Sequence, residues 1–237
     1  MAYEVIPSKI INNVAILLDR SGSMIGCREA TVTGFNEQLQ VLKQEGPDNE
    51  ETNVSLITFN HEIEEKFMST PASDVVELTN EDYVPDGTTA LYDGIVHAVK
   101  RLRETTDESN LENAYLLVIM SDGLENCSST RAPQVASLIN ELKNTGRWTF
   151  TYMGAISADQ IEALSNSLGL DAGNVIRYTA SHAGTRSASV VMGDSLTSYK
   201  SARRSGMSQV MDFYSDGSEV ASIPEDSTNL PDESENS

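Results

Sequence analysis

Cysteine is nearly absent, with two residues, Cys27 and Cys127, in a chain of 237. Two cysteines make neither a disulfide framework nor a structural zinc set. Histidine is as scarce, and the three present share no ligand spacing. His61 reads as a turn residue, His97 as a helix-surface residue and His182 as a loop residue. No Ser-His-Asp or Cys-His set emerges, so nucleophilic catalysis of that kind is not expected. Basic residues are few, 16 against 36 acidic ones, for a formal charge of −20. A phosphate backbone calls for clustered Lys and Arg, and so does an anionic bilayer surface, so neither nucleic acid nor a membrane is an expected partner. No apolar run approaches the roughly 20 residues of a bilayer span. The start, Met1-Ala2-Tyr3-Glu4-Val5-Ile6-Pro7, does not lead from a basic segment into an apolar one. No signal peptide is read there, and a cytoplasmic location is expected, in a bacterial cell or for a virus-encoded protein acting inside one.

What is present is enough for one sizeable core, since 39% of the residues are hydrophobic. The length fits one domain with an appendage or two small domains. Val14-Ala15-Ile16-Leu17-Leu18 is a short apolar run bounded by polar residues, the pattern of a strand buried on both faces. Residues 28–44 carry Val32, Phe35, Leu39 and Leu42 at helical spacing, stopped by Gly46-Pro47-Asp48. Val54 to Phe59 reads as a second buried strand, and 62–68 as a polar hairpin partner at the sheet edge. Residues 70–88 are irregular and polar. Leu91, Ile95, Val99 and Leu102 mark a helix, Tyr115 to Met120 a buried strand, and Val135, Leu138, Ile139 and Leu142 another helix closed by Gly146. Trp148 to Met153 is a strand, and Ser157-Ala158-Asp159-Gln160 a capping box before a helix that Gly169 ends. Val175 to Tyr178 is a last short strand, and a Ser-rich helix is placed over 187–203.

Strand and helix alternate, which implies an α/β fold: a Rossmann-like doubly wound sheet, mainly parallel with one antiparallel edge strand, and helices on both faces. Residues 1–204 form the domain, whose end the Arg203-Arg204 pair marks. From Ser205 the composition shifts, with no Lys or Arg and eight Asp or Glu among 33 residues. Residues 205–237 are therefore expected to be a disordered acidic tail. Val210, Met211, Phe213 and Tyr214 cluster within it, either a docking motif or an edge that packs back on the domain.

Chemistry gathers at strand ends. Asp19-Arg20-Ser21-Gly22-Ser23 leaves the first strand with a carboxylate and two hydroxyls at alternate positions, in the place where open α/β sheets bind ligands. Oxygen side chains on one tight loop suit a hard cation such as Mg²⁺. Arg20 reads as a solvated charge at its rim.

Asp-x-Ser-x-Ser after an apolar strand resembles the metal-ion-dependent adhesion site of the von Willebrand factor A domain. The rest of that site has counterparts here in the right order. Gly87-Thr88-Thr89-Ala90-Leu91-Tyr92-Asp93 looks like the second loop, and Ser121-Asp122-Gly123, followed by Glu125-Asn126 as in many bacterial relatives, looks like the third. The resemblance spans about residues 10–200. It implies that Asp19, Ser21, Ser23, Thr89 and Asp122 are the metal ligands, with Thr88 the alternative to Thr89. The implied metal is Mg²⁺, with Mn²⁺ or Ca²⁺ as substitutes. Only two of the ligands are acids, so a coordination position stays open for an Asp or Glu carboxylate of a protein partner. Met24-Ile25-Gly26-Cys27 stands where integrin-type relatives carry further acids, so one metal is expected, not two.

The implied function is a Mg²⁺-dependent protein-interaction module, not an enzyme, similar to stand-alone bacterial A domains of stress-response, tellurite-resistance and ATPase-associated systems. The alternatives are a metal-dependent hydrolase or phosphatase, and a regulatory subunit that docks an AAA+ ATPase. Cys27 and Cys127 each follow a site loop and read as two separate thiols, with a redox-sensitive disulfide as the other reading. A tail carboxylate such as Asp232 or Glu235 is a further candidate occupant of the site.

Overall fold

In the computed structural model, residues 9–179 and 181–214 are described. Strand β1 (Ile10–Asp19) lies at the centre because it is apolar on both sides. Val14, Ile16 and Leu18 point into one core, and Ala15 and Leu17 into the other. Its neighbours are β2 (Glu50–Phe59) and β4 (Asn113–Ser121), both parallel to it. Beyond β2 runs β3 (Ile63–Pro71), antiparallel, and beyond β4 run β5 (Trp148–Gly154) and β6 (Val175–Arg177), parallel. The order is β3-β2-β1-β4-β5-β6, the doubly wound, mainly parallel sheet with one antiparallel edge that the alternation implies.

Helices cover both faces. On one side α1 (Arg28–Lys43) contributes Val32, Phe35, Leu39 and Leu42, and α5 (His182–Arg204) contributes Ala188, Met192, Leu196 and Tyr199. On the other, α2 (Leu91–Thr105), α3 (Ala132–Lys143) and α4 (Ala158–Leu168) supply Leu91, Ile95, Val99, Leu102, Val135, Ile139, Leu142, Leu164 and Leu168. The capping box read at Ser157 and Gln160 is formed, and Gly169 ends α4 in the left-handed region at φ 69°. No helix among the described residues is long and apolar enough to cross a membrane.

Helix α5 begins at His182, five residues before the expected start, so His182 is helical. Ser181 caps it by accepting from Gly184 N at 3.0 Å. Its Ser, Thr and Ala face, with Thr185, Ser187 and Ser189 buried, hid it from an apolar-periodicity reading. The irregular stretch after β3 is not wholly polar in role, because Val75, Leu78 and Tyr83 are all buried in the core.

The domain does not end at residue 204. Residues 205–214 fold back, burying Phe213 and Tyr214 at 2% and 0% exposure beneath α5. Their backbone is also satisfied: Phe213 N donates to Asn174 Oδ1 and Tyr214 N to Gly173 O, each at 2.8 Å. Of the two readings of the apolar cluster at 210–214, this is the edge that packs back on the domain, while the acidic, Ser-rich average of the segment sets the boundary too early. Arg203, rather than marking an end, is 2% exposed and donates to Asn12 Oδ1, Ile11 O, Glu112 O and Met207 O. Residues 1–8 and 215–237 lie outside the described residues, and with them the readings of the signal segment, Asp232, Glu235 and the rest of the tail.

Small residues set the α1–α5 distance. A Cβ on Gly34 would stand 2.1 Å from Ser189 Oγ and 3.2 Å from Ser189 Cβ. Gly34→Ala should therefore cost about 1 kcal/mol, since overpacking of 1–3 kcal/mol outweighs the helix-propensity gain. In a Ser189→Ala background the hydroxyl is gone, and the same change should become neutral or stabilising by urea denaturation. A Gly34→Ala penalty that is identical in both backgrounds would refute this account of the packing.

Candidate metal centre

The sheet order puts the carboxyl ends of β1 and β4 side by side, where the chain turns to opposite sides of the sheet. That crevice is where ligands bind in such sheets. Asp19 is the last residue of β1 and Asp122 follows β4 directly. A 3-10 turn (Gly22–Cys27) keeps Ser21 and Ser23 close to the strand end.

The first and third loops meet through oxygens. Ser23 Oγ donates to Asp122 Oδ1 at 2.6 Å and lies 3.1 Å from Ser21 Oγ. Asp19 Oδ1 accepts from Ser21 N at 2.7 Å, and Asp19 Oδ2 accepts from the Ser121 hydroxyl at 2.5 Å. Asp19, Ser21 and Thr89 are buried, Asp122 is half-buried and Ser23 is exposed, so the set opens to solvent on the Ser23 side. Ser121 and Tyr83, which donates to Asp19 O, support Asp19 from behind. Neither role was read from the sequence; a hydroxyl just before the Asp-Gly pair was the only available sign of Ser121.

The second loop joins the same cluster. A Cβ on Gly123 would stand 3.5 Å from Thr89 Oγ1 and 3.8 Å from Ser23 Oγ, so both hydroxyls face one small space that the glycine leaves open. Thr88 is exposed, and its hydroxyl donates to Cys127 Sγ at 3.1 Å. Of the two threonines, Thr89 is the one on the site side. Gly22 N donates to Gly87 O at 3.1 Å, tying the first loop to the second.

Electrostatically the pair of acids is under strain. Burial pushes the Asp19 carboxyl up to about 6, against hydrogen bonds from Ser121 and Ser21, with the charge of Asp122 adding to the rise. Burial also raises Asp122. No basic side chain is among the groups that shift either acid. Arg20 is not a solvated charge: its side chain is 13% exposed and pairs with Asp86 at 3.1 Å and Glu62 at 3.8 Å. Two partly or fully desolvated carboxylates and three hydroxyls, with no basic side chain among the described groups that shift the acids, match the needs of a hard divalent ion. Among the described residues no three His, Cys, Asp or Glu side chains form a metal cage. The five oxygens include only two acids, so such a cage is not what they would build.

Both cysteines are free, Cys27 buried and Cys127 exposed, in keeping with two separate thiols. His61 sits in the β2–β3 turn, and His97 on α2 places Nε2 2.7 Å from Glu65 Oε1.

The model of the von Willebrand factor type A domain matches residues 13–188. No curated protein sequence matches the chain. Among solved structures, proximal thread matrix protein 1 from the mussel byssus, with its MIDAS motif occupied by zinc, is similar at 14% identity and a TM-score of 0.59, over 77% of this chain and 47% of that one. The pilus adhesin SpaC from Lactobacillus rhamnosus GG, in an open conformation, gives a TM-score of 0.61 at 14% identity, over 81% of this chain and 30% of that one. The SpRpn10 VWA domain gives 0.55 at 14% identity, over 76% and 94%. The chain thus spans about half the length of the mussel protein it matches, and less of the adhesin. At such identities the likeness is one of fold.

Proposed function

Because the chain belongs to the von Willebrand factor type A domain family, we propose that Asp19, Ser21, Ser23, Thr89 and Asp122 hold one divalent cation and bind a protein partner through it. The carrying observation is the convergence of three loops on one oxygen cluster with one buried and one half-buried acid, neither facing a basic side chain among the groups that shift it. An all-oxygen donor set favours Mg²⁺, with Mn²⁺ or Ca²⁺ able to replace it. The zinc in the mussel protein's MIDAS motif supports divalent occupancy of such a site. When bound, the cation supplies a Lewis-acidic position for an incoming carboxylate.

The protein's own groups set the direction of approach. Each Asp19 oxygen accepts one hydrogen bond, from Ser21 N and Ser121 Oγ, which fixes the carboxylate's orientation and leaves its remaining lone pairs for a cation. Ser23 and Asp122 form the open rim. Ile25 and Leu124, 67% and 39% exposed, follow the first and third loops and offer apolar flanks to a partner. A shallow hollow of 340 Å³ beside Ile25, lined by Gly26, Arg28, Glu29, Asn80 and His182, can take a neighbouring side chain. Such a partner presents an Asp or Glu with apolar neighbours, in keeping with an interaction module rather than an enzyme.

Titration calorimetry with Mg²⁺ tests the metal. Asp122→Ala should weaken binding by at least about 100-fold, more than outer-shell changes do. Capture of a partner from the native host should then disappear with EDTA and with Asp122→Ala alike. Magnesium-dependent turnover of a generic phosphoester, lost in Asp19→Ala, would replace this reading with that of a hydrolase.

A further inference from the structure

The second and third loops are joined by hydrogen bonds in which none of the five candidate side-chain oxygens takes part. Thr89 N donates to Asn126 Oδ1 at 2.9 Å, and Asn126 N donates to Thr89 O at 3.1 Å. Next to this pair, two carboxylates cross between the segments. Glu125 accepts from Tyr92 N, in the first turn of α2, at 3.0 Å, and from Cys127 N, Ser128 N and Ser128 Oγ of its own loop. Asp93 answers from α2, accepting from Ser129 N at 2.8 Å and Thr130 N at 2.9 Å, while its own N donates to Ser128 Oγ at 3.1 Å.

The sequence explains why the bonds run across. Helix α2 has Ala90 at its N-cap, with no side chain to satisfy the first N–H groups. Those orphan donors need acceptors, and charged ones near a helix N-terminus are favoured. Glu125 and Ser128 of the other loop supply them. The cap of the helix that carries Thr89 is therefore made by the loop that carries Asp122.

We propose that Asn126 is a positioning residue for Thr89, and that with Glu125 and Asp93 it forms a clamp that sets the second and third loops before any cation arrives. This rests on the metal-binding reading above and adds what holds the hydroxyl ligand in place. The first loop is outside the clamp and touches Asp122 through Ser23 alone among the hydroxyl contacts described.

The test uses the full chain, Mg²⁺ as the probe, and NMR hydrogen exchange of the Thr89 amide in the metal-free protein. Asn126→Ala should speed that exchange by about 10-fold or more and weaken Mg²⁺ binding about 10-fold, the usual scale for an outer-shell partner. Asn126→Asp keeps an accepting oxygen opposite Thr89 N and should restore the protection. Unchanged Thr89 exchange in Asn126→Ala overturns the proposal, and so does lost protection with unaltered Mg²⁺ affinity. If the wild type takes up no Mg²⁺ while Asn126→Ala still loses protection, the clamp is supported and the metal reading is overturned.

Discussion

Asp19→Asn is expected to abolish Mg²⁺ binding and, at pH 7, to raise the melting temperature of the metal-free protein. The carboxylate is buried to 0% exposure and its titration is pushed up to about 6 from 3.8. Between those values the native state binds more protons than the unfolded chain, so metal-free stability is greatest at the acid end and is lost as pH rises through about 6. The ceiling on that loss is about 3 kcal/mol, about two pH units at 1.36 kcal/mol each. An amide carries no charge to desolvate, and its geometry is served in place. Its oxygen accepts from Ser21 N, and its NH₂ donates to Ser121 Oγ, which has Gly123 O at 3.0 Å as its own acceptor. At about 2–4 °C per kcal/mol for a domain of this size, the gain is several degrees at pH 7 and vanishes toward pH 4. Mg²⁺ competes with the same proton, so wild-type affinity should fall below about pH 6. A variant that melts lower than wild type at neutral pH, or still binds Mg²⁺, would refute the argument.

Truncation after Ser205 should lower stability by about 5 kcal/mol, because Phe213 and Tyr214 are core residues and large-to-nothing changes at such positions cost 3–5 kcal/mol each before relaxation. Phe213 packs edge-on to Tyr214 at 4.9 Å and meets Tyr199 of α5 at 6.3 Å. The cut also removes Val210 N from Thr149 Oγ1, Gln209 Nε2 from Trp148 O, and the Met207 carbonyl from Arg203. Arg203 would keep its charge in a buried place with fewer acceptors, which adds to the cost. A chain cut after Tyr214 keeps every one of these contacts and is the control. Melting should separate the two by about 10–20 °C. Equal melting temperatures would show that residues 206–214 are an adornment and not part of the core.

The fold was legible where burial on both faces leaves a run of apolar residues, as in β1 and β4, and where helices carry Leu and Ile at helical spacing, as in α2. The candidate site was legible as a cluster because three short strings, each common alone, stand in order at strand or helix ends, and the fold brings them together. Tyr83 was not legible: nothing in an irregular polar stretch marks one side chain as bound for the core, and its hydroxyl is spent on the Asp19 carbonyl. Phe213 and Tyr214 read as an apolar cluster that could pack back, but the domain boundary is set before them, since composition averages over a window while docking depends on two residues. The burial of Arg203 was hidden because its partners, Asn12, Ile11 and Glu112, are far off in sequence and mostly backbone carbonyls. Glu125 and Asn126 were noticed as a string, yet their role depends on Ala90 failing to cap its own helix.

The placement of β1 against β4 has a consequence for the order of folding. Leu18 pairs with Met120; Asp19 stands one residue past that rung and Asp122 two, although about 100 residues separate the two strands along the chain. Closing a loop of that length comes late, since local hairpins and helices form far sooner. The proposed cation site therefore cannot act as a nucleus: neither half of the sheet holds Asp19 and Asp122 together alone. In refolding, metal uptake should lag behind helix formation and follow the slow joining of the two halves, so a bound ion would report that the chain had passed its last topological step.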